Sequence, residues 1–261
     1  MFSAALSISI ILIKNKPMRI FGISDIHLEF LPDDDDFSFT SKWPSADALV
    51  LAGDIGSPIK RYDQYRRFLE HVKKTYSTVI FISGNHEYYG CNFDRDYVNR
   101  LLRQLASGTG CQFLHRESIV VNGVQFIGAT LWSIISRESV YTINDFSQGV
   151  FEGQTDYVQE FAKDSEFIQR SLDDAKSPTV VITHHLPSRR LIHGRFKDYD
   201  NSAFCSSLLD HVELRNMKLW VCGHTHEYVD TICDGRIIYA NPMGYPNEKR
   251  KTQICYDVYE V

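Results

Sequence analysis

Short apolar runs alternate along this chain with longer segments whose apolar residues recur at helical spacing. Runs of four to seven residues rich in Val, Ile and Leu are typical of buried strands, whereas apolar residues three and four apart indicate amphipathic helices. Strands are predicted at residues 19–24, 48–52, 78–83, 125–129, 179–183, 219–222, 236–240 and 253–259, and helices at residues 62–75, 95–106, 155–175 and 203–215. The alternation predicts an α/β fold rather than an all-β sandwich.

Five of the predicted strands lead into side chains that can bind a metal ion. These segments are Asp25-Ile26-His27, Gly53-Asp54, Gly84-Asn85-His86-Glu87, His184-His185 and Gly223-His224-Thr225-His226. In open α/β sheets, ligands gather outside the carboxyl ends of the strands, so five such ends can converge on one cleft. Each segment alone is a weak signal, since a lone Asp-x-His or a Gly-Asn turn is common. Their order at successive strand ends predicts one site.

The donor types in these segments indicate which ions the site would bind. Imidazole, carboxylate and amide donors without a thiolate fit a first-row transition metal. If the backbone stays extended through Asp25 and His27, or through His224 and His226, donors two residues apart project to the same side. A carboxylate such as Asp54 has two oxygens and can bridge two cations. The adjacent His184 and His185 leave open which of the two binds.

Together these segments resemble the signature of the calcineurin-like metallophosphoesterase family, over roughly residues 18–246. The resemblance implies a four-layer αββα sandwich of two mixed β-sheets flanked by helices. It favours His184 over His185 as a ligand and makes His86 a catalytic histidine that does not bind metal. One implied metal site uses Asp25, His27, Asp54 and His226, and the other uses Asp54, Asn85, His184 and His224.

The resemblance also implies an activity. We expect a dinuclear-metal-dependent hydrolase of phosphomonoesters or phosphodiesters, in which a hydroxide bridging two ions about 3.5–4 Å apart attacks phosphorus and His86 assists. The expected cofactors are two divalent or mixed-valence ions of Mn, Fe, Zn or Ni, and the expected substrate is a phosphorylated small molecule. Two alternatives stay open: a catalytically silent scaffold of the same fold, and a nuclease.

Charge and composition narrow these alternatives. The net charge of -5 and the pI near 6.0 disfavour a protein that holds nucleic acid on a broad basic surface,. A local basic cluster of Arg189, Arg190, Arg195 and Lys197 either meets further phosphates or lies in solvent. The acidic run at residues 33–36 is expected to be a solvated loop. Residues 132–153 lack periodicity and form the candidate substrate-covering segment.

The length of 261 residues favours a single domain at residues 18–261, preceded by an extension at residues 1–17 of doubtful structural role,. The apolar opening of that extension is too short to span a bilayer and lacks the features of a secretory signal. Six scattered cysteines without a CxxC pair favour reduced thiols. We therefore expect a cytoplasmic protein without membrane contact. The sequence does not indicate its oligomeric state.

Overall fold

The computed structural model describes residues 16–248 and 254–261. Residues 1–15 of the expected N-terminal extension lie outside the described residues, and so does the first residue of the predicted strand 253–259. The rest of that strand prediction is wrong except at its end, because residues 254–258 are not in a strand and the strand begins only at Tyr259. The strands are β1 (Arg19–Ile23), β2 (Ala48–Ala52), β3 (Thr78–Ile82), β4 (Gln112–Phe113), β5 (Glu117–Val121), β6 (Val124–Gly128), β7 (Thr179–Ile182), β8 (Met217–Cys222), β9 (Val229–Cys233), β10 (Arg236–Ala240) and β11 (Tyr259–Glu260). The helices are α1 (Tyr62–Lys73), α2 (Arg95–Thr109), α3 (Asn144–Ser147) and α4 (Gln154–Asp173), with short 3₁₀ turns between elements.

The strands form two mixed sheets. In the first sheet the order is β11-β1-β2-β3-β4, with β1 to β4 parallel and β11 antiparallel to β1. In the second sheet the order is β5-β6-β7-β8-β10-β9, with β6, β7, β8 and β10 parallel and the two edge strands antiparallel to their neighbours. The parallel strands direct their carboxyl ends the same way within each sheet, which prepares a common edge for ligands.

Alternation along the central strands explains how the sheets stack into layers. In β2, Val50 faces a core that also contains Phe126 and Val221 of the second sheet. Its neighbours Leu49 and Leu51 face the opposite way, into a core shared with α1 and α2. The outer face of the second sheet packs in the same manner against α4. Because both faces are covered, these strands are continuous apolar runs, and the expected αββα sandwich is confirmed.

The segment predicted as a helix at residues 203–215 is not one, apart from a 3₁₀ turn at Leu208–Asp210. Beyond that turn, part of its backbone pairs with a neighbouring segment. Leu186 donates its N–H to the carbonyl of Phe204 at 3.2 Å, and Ser206 donates to the carbonyl of Leu186 at 2.9 Å. Apolar spacing had indicated a helix, but these long-range hydrogen bonds satisfy the backbone groups that a helix would pair internally.

Three strands escaped prediction, namely β4, β5 and β9, and each lies at the edge of a sheet. An edge strand has one side open to solvent, so it need not be a continuous apolar run. Val120 of β5 is 65% exposed and Ile232 of β9 is 71% exposed. β4 has only two residues, too few for any period to show.

Two further features bear on the sequence expectations. The six cysteines all fall within the described residues and form no disulfide. Among the helices of the described residues, none combines the length and the apolar character needed to cross a membrane.

Candidate metal centre

The donor-bearing loops follow β1, β2, β3, β7 and β8, and backbone hydrogen bonds join them into one framework. Asp25 donates its N–H to the carbonyl of Gly53 at 3.0 Å, and Gly223 donates to the carbonyl of His184 at 2.8 Å. The loop after β10 joins them, since Gly244 donates to the carbonyl of Asp25 at 2.9 Å. The loops therefore hold one another in register, independently of any ligand.

Several of the candidate ligands adopt a left-handed backbone. The φ angles are 54° at Asp25, 54° at His27, 53° at Asp54, 72° at His224 and 52° at His226. This region costs a residue with a side chain about 1–3 kcal/mol, and such strain is concentrated at functional sites. The possibility that the backbone stays extended through Asp25 and His27, or through His224 and His226, is wrong. Strands β1 and β8 end before these donors begin. Left-handed turns, not strand alternation, bring the paired side chains inward.

Two glycines make room for this close packing. A Cβ atom added to Gly84 would clash with the carboxylate of Asp54, and one added to Gly223 would clash with Ser24 and Asp25. Since these contacts involve buried side chains and backbone with no space to move, only glycine fits at either position.

The first donor group consists of Asp25, His27 and His226. One donor atom from each lies within 4.8 Å of the others. The Nε2 atoms of His27 and His226 face each other at 3.1 Å, and the Nε2 of His226 lies 3.3 Å from Asp25 Oδ1. Residues from the loops after β1 and β8 thus meet although they are about 200 positions apart in the chain.

The second donor group consists of Asn85, His184 and His224. His184 Nε2 lies 3.2 Å from Asn85 Oδ1. His184, His224 and Asp54 also present donor atoms within 4.8 Å of one another. The loops after β3, β7 and β8 supply this group.

Asp54 lies between the two donor groups. Its Oδ2 atom is 3.3 Å from His184 Nε2 in the second group and 3.9 Å from His27 Nε2 in the first. Its other oxygen, Oδ1, accepts the backbone N–H of His86 at 2.8 Å, which fixes the orientation of the carboxylate. One carboxylate oxygen therefore faces both groups.

Three of the candidate histidines use one ring nitrogen, Nδ1, in a hydrogen bond within the protein, and this leaves Nε2 available to a metal. His27 Nδ1 pairs with Glu29 at 3.1 Å, and His226 Nδ1 pairs with Glu248 at 2.6 Å. A carboxylate can only accept, so both Nδ1 atoms donate, and in the neutral rings the lone pairs lie on the Nε2 atoms that face each other. Likewise, His184 Nδ1 donates to the carbonyl of Ala52 at 2.9 Å. Inward lone pairs with a donor at the outer nitrogen are the usual arrangement of metal-binding histidines.

Asn85 is oriented in the same sense. Its side-chain N–H₂ donates to Tyr89 and to Asp145, each at 2.9 Å, so its oxygen faces His184. Burial raises the pKa of the Asp145 carboxyl to about 6, against the opposing effect of its hydrogen bonds from Asn85 and Tyr89. The carbonyl oxygen of Asn85 is left free to face a cation, and the donor set as a whole fits transition metals.

The electrostatics of the pocket favour positive charge at this place. Burial by itself opposes a charged His184, but the carboxylate of Asp54 outweighs burial and raises the His184 pKa to about 10. Burial also works against an ionised Asp54, yet the charge on His184 brings the pKa of Asp54 well below its usual range. Burial and the neighbouring histidines instead lower the pKa of His224, so the carboxylate of Asp54 is the feature of the second donor group that favours a cation.

His86 stands beside both donor groups, with each ring nitrogen already engaged. Its Nδ1 pairs with Glu29 at 2.9 Å and its Nε2 with the hydroxyl of Tyr245 at 3.1 Å. Burial lowers the pKa of His86, but the nearby Asp54 and Glu29 carboxylates outweigh it and raise the pKa above its ordinary value. A donor atom of His86 also lies within 4.8 Å of His27 and Asp54; its non-ligand role stays a prediction.

His185 belongs to neither donor group, although its ring packs against the second group. Its ring packs against His224 and Trp132, with centroids 4.1 Å and 5.2 Å away. The side chain is fully buried, and burial first, then the charge of His184, lowers its pKa to about 3. The neutral ring of His185 is therefore part of the packing behind His224.

Sequence reasoning missed several residues that support the candidate ligands. One carboxylate oxygen of Glu29 pairs with both His27 and His86. Burial alone would raise the pKa of Glu29, but these two hydrogen bonds outweigh burial and lower the pKa to about 2. Glu87 accepts backbone N–H groups from Gly84 and Asp54, at 2.7 Å and 2.9 Å, and so ties the β2 and β3 loops together. In the sequence, Glu87 is the last residue of the Gly84-Asn85-His86-Glu87 segment, and Glu29 lies two residues after His27. Nothing in the sequence relates Glu248, Asp145 or Tyr245 to their partners.

A cleft of about 310 Å³ opens above the donors. The expected substrate-covering segment contributes to it through Thr142, Ile143, Asn144 and Asp145, which line one side. Phe204 and Thr225 line another side. The metal centre is therefore reached from solvent through a cleft that the 132–153 segment helps to form.

The two charged clusters singled out from the sequence lie apart from the donors. In the basic cluster, Arg190 pairs with Asp210, Arg195 pairs with Glu227, and Arg189 donates to main-chain carbonyls. In the acidic run, residues 33, 34 and 36 are exposed, as expected of a solvated loop.

Comparisons of the sequence and of the fold each found proteins that are similar to this chain. The Calcineurin-like phosphoesterase family model matches residues 18–228. An uncharacterized protein of Acanthamoeba polyphaga mimivirus is 27% identical over 266 aligned residues, covering 89% of this chain and 93% of its own. Phosphopantetheinyl hydrolase from Mycobacterium tuberculosis has a similar fold, with a TM-score of 0.68 and 21% identity over 95% of this chain and 97% of that protein. A Thermus thermophilus protein, TT1561, is similar with a TM-score of 0.55 and 13% identity over 87% and 89% of the two chains.

Proposed function

We propose a function from the premise that this chain belongs to the calcineurin-like phosphoesterase family. In this proposal, residues 18–261 act as one catalytic domain. The domain hydrolyses a phosphorylated small molecule at a centre of two transition-metal ions. The proposed ligands are Asp25, His27, Asp54, Asn85, His184, His224 and His226, and the proposed catalytic histidine is His86. Mn, Fe, Zn and Ni all suit these donors, and the ester is a phosphomonoester or a phosphodiester.

The observation that carries this proposal is the position of Asp54. Its Oδ2 lies within 3.9 Å of an imidazole of the first donor group and 3.3 Å of one of the second. A single metal site would not need imidazoles from two separate groups near one carboxylate oxygen. An oxygen placed between two cations offsets part of their mutual repulsion, which supports a dinuclear centre.

When bound, the two ions would supply a nucleophilic hydroxide near neutral pH and would stabilise the charge on the phosphoryl oxygens. The protein's own residues prepare the place for this chemistry. Glu29 and Glu248 fix the rings of His27 and His226 by hydrogen bonds to their outer nitrogens. Such support costs no rearrangement at the moment of reaction, because the donors are already oriented.

The surroundings of His86 support a role in handling the proton of the leaving group. Its Nε2 faces Tyr245, and both residues line the cleft. The raised pKa keeps the ring protonated over a wider pH range, which suits a general acid. Glu29 holds the opposite nitrogen of His86, so Nε2 is the atom from which a proton passes to the leaving oxygen.

The experiment that tests the proposal combines metal analysis with an ester screen. Protein stripped of metal and reloaded separately with Mn, Fe, Zn or Ni is assayed on aryl phosphomonoesters and phosphodiesters, nucleotides and phosphopeptides. We expect two ions per chain and metal-dependent hydrolysis of at least one ester class. Tight binding of two ions without hydrolysis would favour the catalytically silent scaffold, and salt-sensitive cleavage of DNA or RNA alone would favour the nuclease. One bound ion per chain would contradict the dinuclear centre.

A further inference from the structure

A second cavity opens beside the metal-centre cleft. It measures about 440 Å³, within the range of small-ligand sites. Its lining includes Ile192, His193, Phe196, Tyr199, Phe204 and Thr225. Phe204 and Thr225 also line the cleft over the metal centre, so the two spaces adjoin at these side chains.

The junction lies directly beside the proposed ligands. Thr225 stands between His224 and His226 in the sequence, and the ring of Phe204 lies on the ring of His224, with centroids 5.2 Å apart and planes at 31°. A molecule whose phosphoryl group lay at the metals would therefore need to extend past only one or two side chains to enter the cavity.

The walls of the cavity are apolar and aromatic. Phe196 is 37% exposed and Tyr199 is 66% exposed, so two large rings face this open space rather than a core. Their centroids are 6.3 Å apart with planes at 68°, and Phe204 and Ile192 also line the cavity. Exposed rings grouped around a cavity mark a binding site more often than an accident of packing.

Three polar side chains around the cavity already have partners within the protein. Glu227 pairs with Arg195. Asp200 accepts hydrogen bonds from the hydroxyls of Ser136 and Ser139 at 2.6 Å and 3.0 Å. Asn201 donates its side-chain N–H groups to main-chain carbonyls at 2.8 Å and 2.9 Å. The lining also carries two carboxylates, those of Asp200 and Glu227, which repel an anion, so it favours an uncharged group over a second phosphate.

We propose that this cavity binds an aromatic group of one or two rings esterified to the phosphoryl group that reacts at the metal centre. The inference rests on the proposed function and adds the class of substrate: an aryl or ring-bearing phosphoester. Aromatic rings prefer edge-to-face or offset contacts with other rings, which Phe196, Tyr199 and Phe204 offer from different directions.

The test measures binding rather than turnover. Metal-loaded protein is titrated calorimetrically with methylphosphonate, benzylphosphonate and 1-naphthylmethylphosphonate, whose P–C bonds resist hydrolysis. Methylphosphonate reports the metal centre alone. We expect the naphthyl compound to bind about tenfold or more tightly than methylphosphonate in the wild type, since ring contacts in such a pocket are worth roughly that factor.

The variants locate the preference in the cavity. Phe196→Ala and Tyr199→Ala should each reduce the naphthyl preference about three- to tenfold while methylphosphonate binds as before, which also shows that the variants are folded. Phe196→Trp keeps a ring and should keep the preference. Tyr97→Ala removes an exposed ring of α2 that does not line this cavity, and it should behave as the wild type.

The outcomes separate this inference from the proposed function. If methylphosphonate binds but the wild type shows no aryl preference, the cavity assignment is wrong and the metal centre stands. An aryl preference that survives both Phe196→Ala and Tyr199→Ala would also overturn the assignment. Failure of metal-loaded protein to bind methylphosphonate would count against the proposed function itself, and the cavity assignment would fall with it.

Discussion

The two donor groups are supported in different ways. In the first group, His27 and His226 depend on the side chains of Glu29 and Glu248. In the second group, His184 depends on the main-chain carbonyl of Ala52. A main-chain carbonyl cannot be removed by substitution, whereas a carboxylate can. The histidines of the first group therefore depend on supporting side chains that a substitution can remove, whereas the support of His184 is the main chain of the β2 strand.

Asp54→Ala should have the largest effect, because it removes a carboxylate oxygen that lies 3.9 Å from His27 in the first donor group and 3.3 Å from His184 in the second. We expect loss of both ions and a fall in turnover of about a thousandfold or more, since metal stabilisation of the transition state is worth several kcal/mol. Metal content and kcat are measured on the same preparation. Asp34→Ala, an exposed residue of the acidic run, is the control. An Asp54→Ala protein that keeps both ions would show that this carboxylate does not link the groups.

His86→Ala tests a residue outside both donor groups. Turnover should fall about 10²–10⁴-fold, as expected for loss of a general acid, while both ions stay bound. The measurement is kcat on an aryl ester alongside metal analysis. Wild-type turnover would refute the catalytic role, and loss of an ion would instead make His86 a ligand.

Glu248→Gln should sharpen the difference between the groups. Loss of the charged partner of His226 is expected to weaken one metal site about 10–100-fold, while the second donor group keeps its affinity. Titration against a competing chelator measures the two affinities separately. Glu213→Gln removes a carboxylate from a surface pair with Arg215 and serves as the matched control. Equal weakening of both ions would contradict the independence of the groups.

His185→Phe should have the smallest effect. The ring packs against His224 and supplies no atom to either donor group, so an aromatic replacement should keep kcat within about threefold and both ions bound, since swaps of similar volume are well tolerated. His184→Phe at the neighbouring position should abolish binding at the second group. If the two variants behave in the opposite way, the ligand is His185.

The sequence predicted the α/β class and the central strands because strands buried on both faces leave continuous apolar runs. It failed at β4, β5 and β9, where one side of the strand is open, and at residues 203–215, where backbone groups pair with Leu186 and its neighbour. Apolar spacing records which side chains are buried. It does not record where a backbone hydrogen bond finds its partner.

For the site, the sequence by itself predicted which residues are the candidate donors, because each follows a recognisable strand and chemistry limits which side chains bind metals. Only the tertiary structure decided how they point: left-handed turns at Asp25 and His226, the position of Asp54 between two groups, and the outer partners Glu29 and Glu248. These partners come from loops with no pattern of their own, and a hydrogen bond between distant loops leaves no local trace in the chain. The aromatic cavity beside the centre was likewise not predictable from the sequence, since the residues that line it come together only in the folded chain.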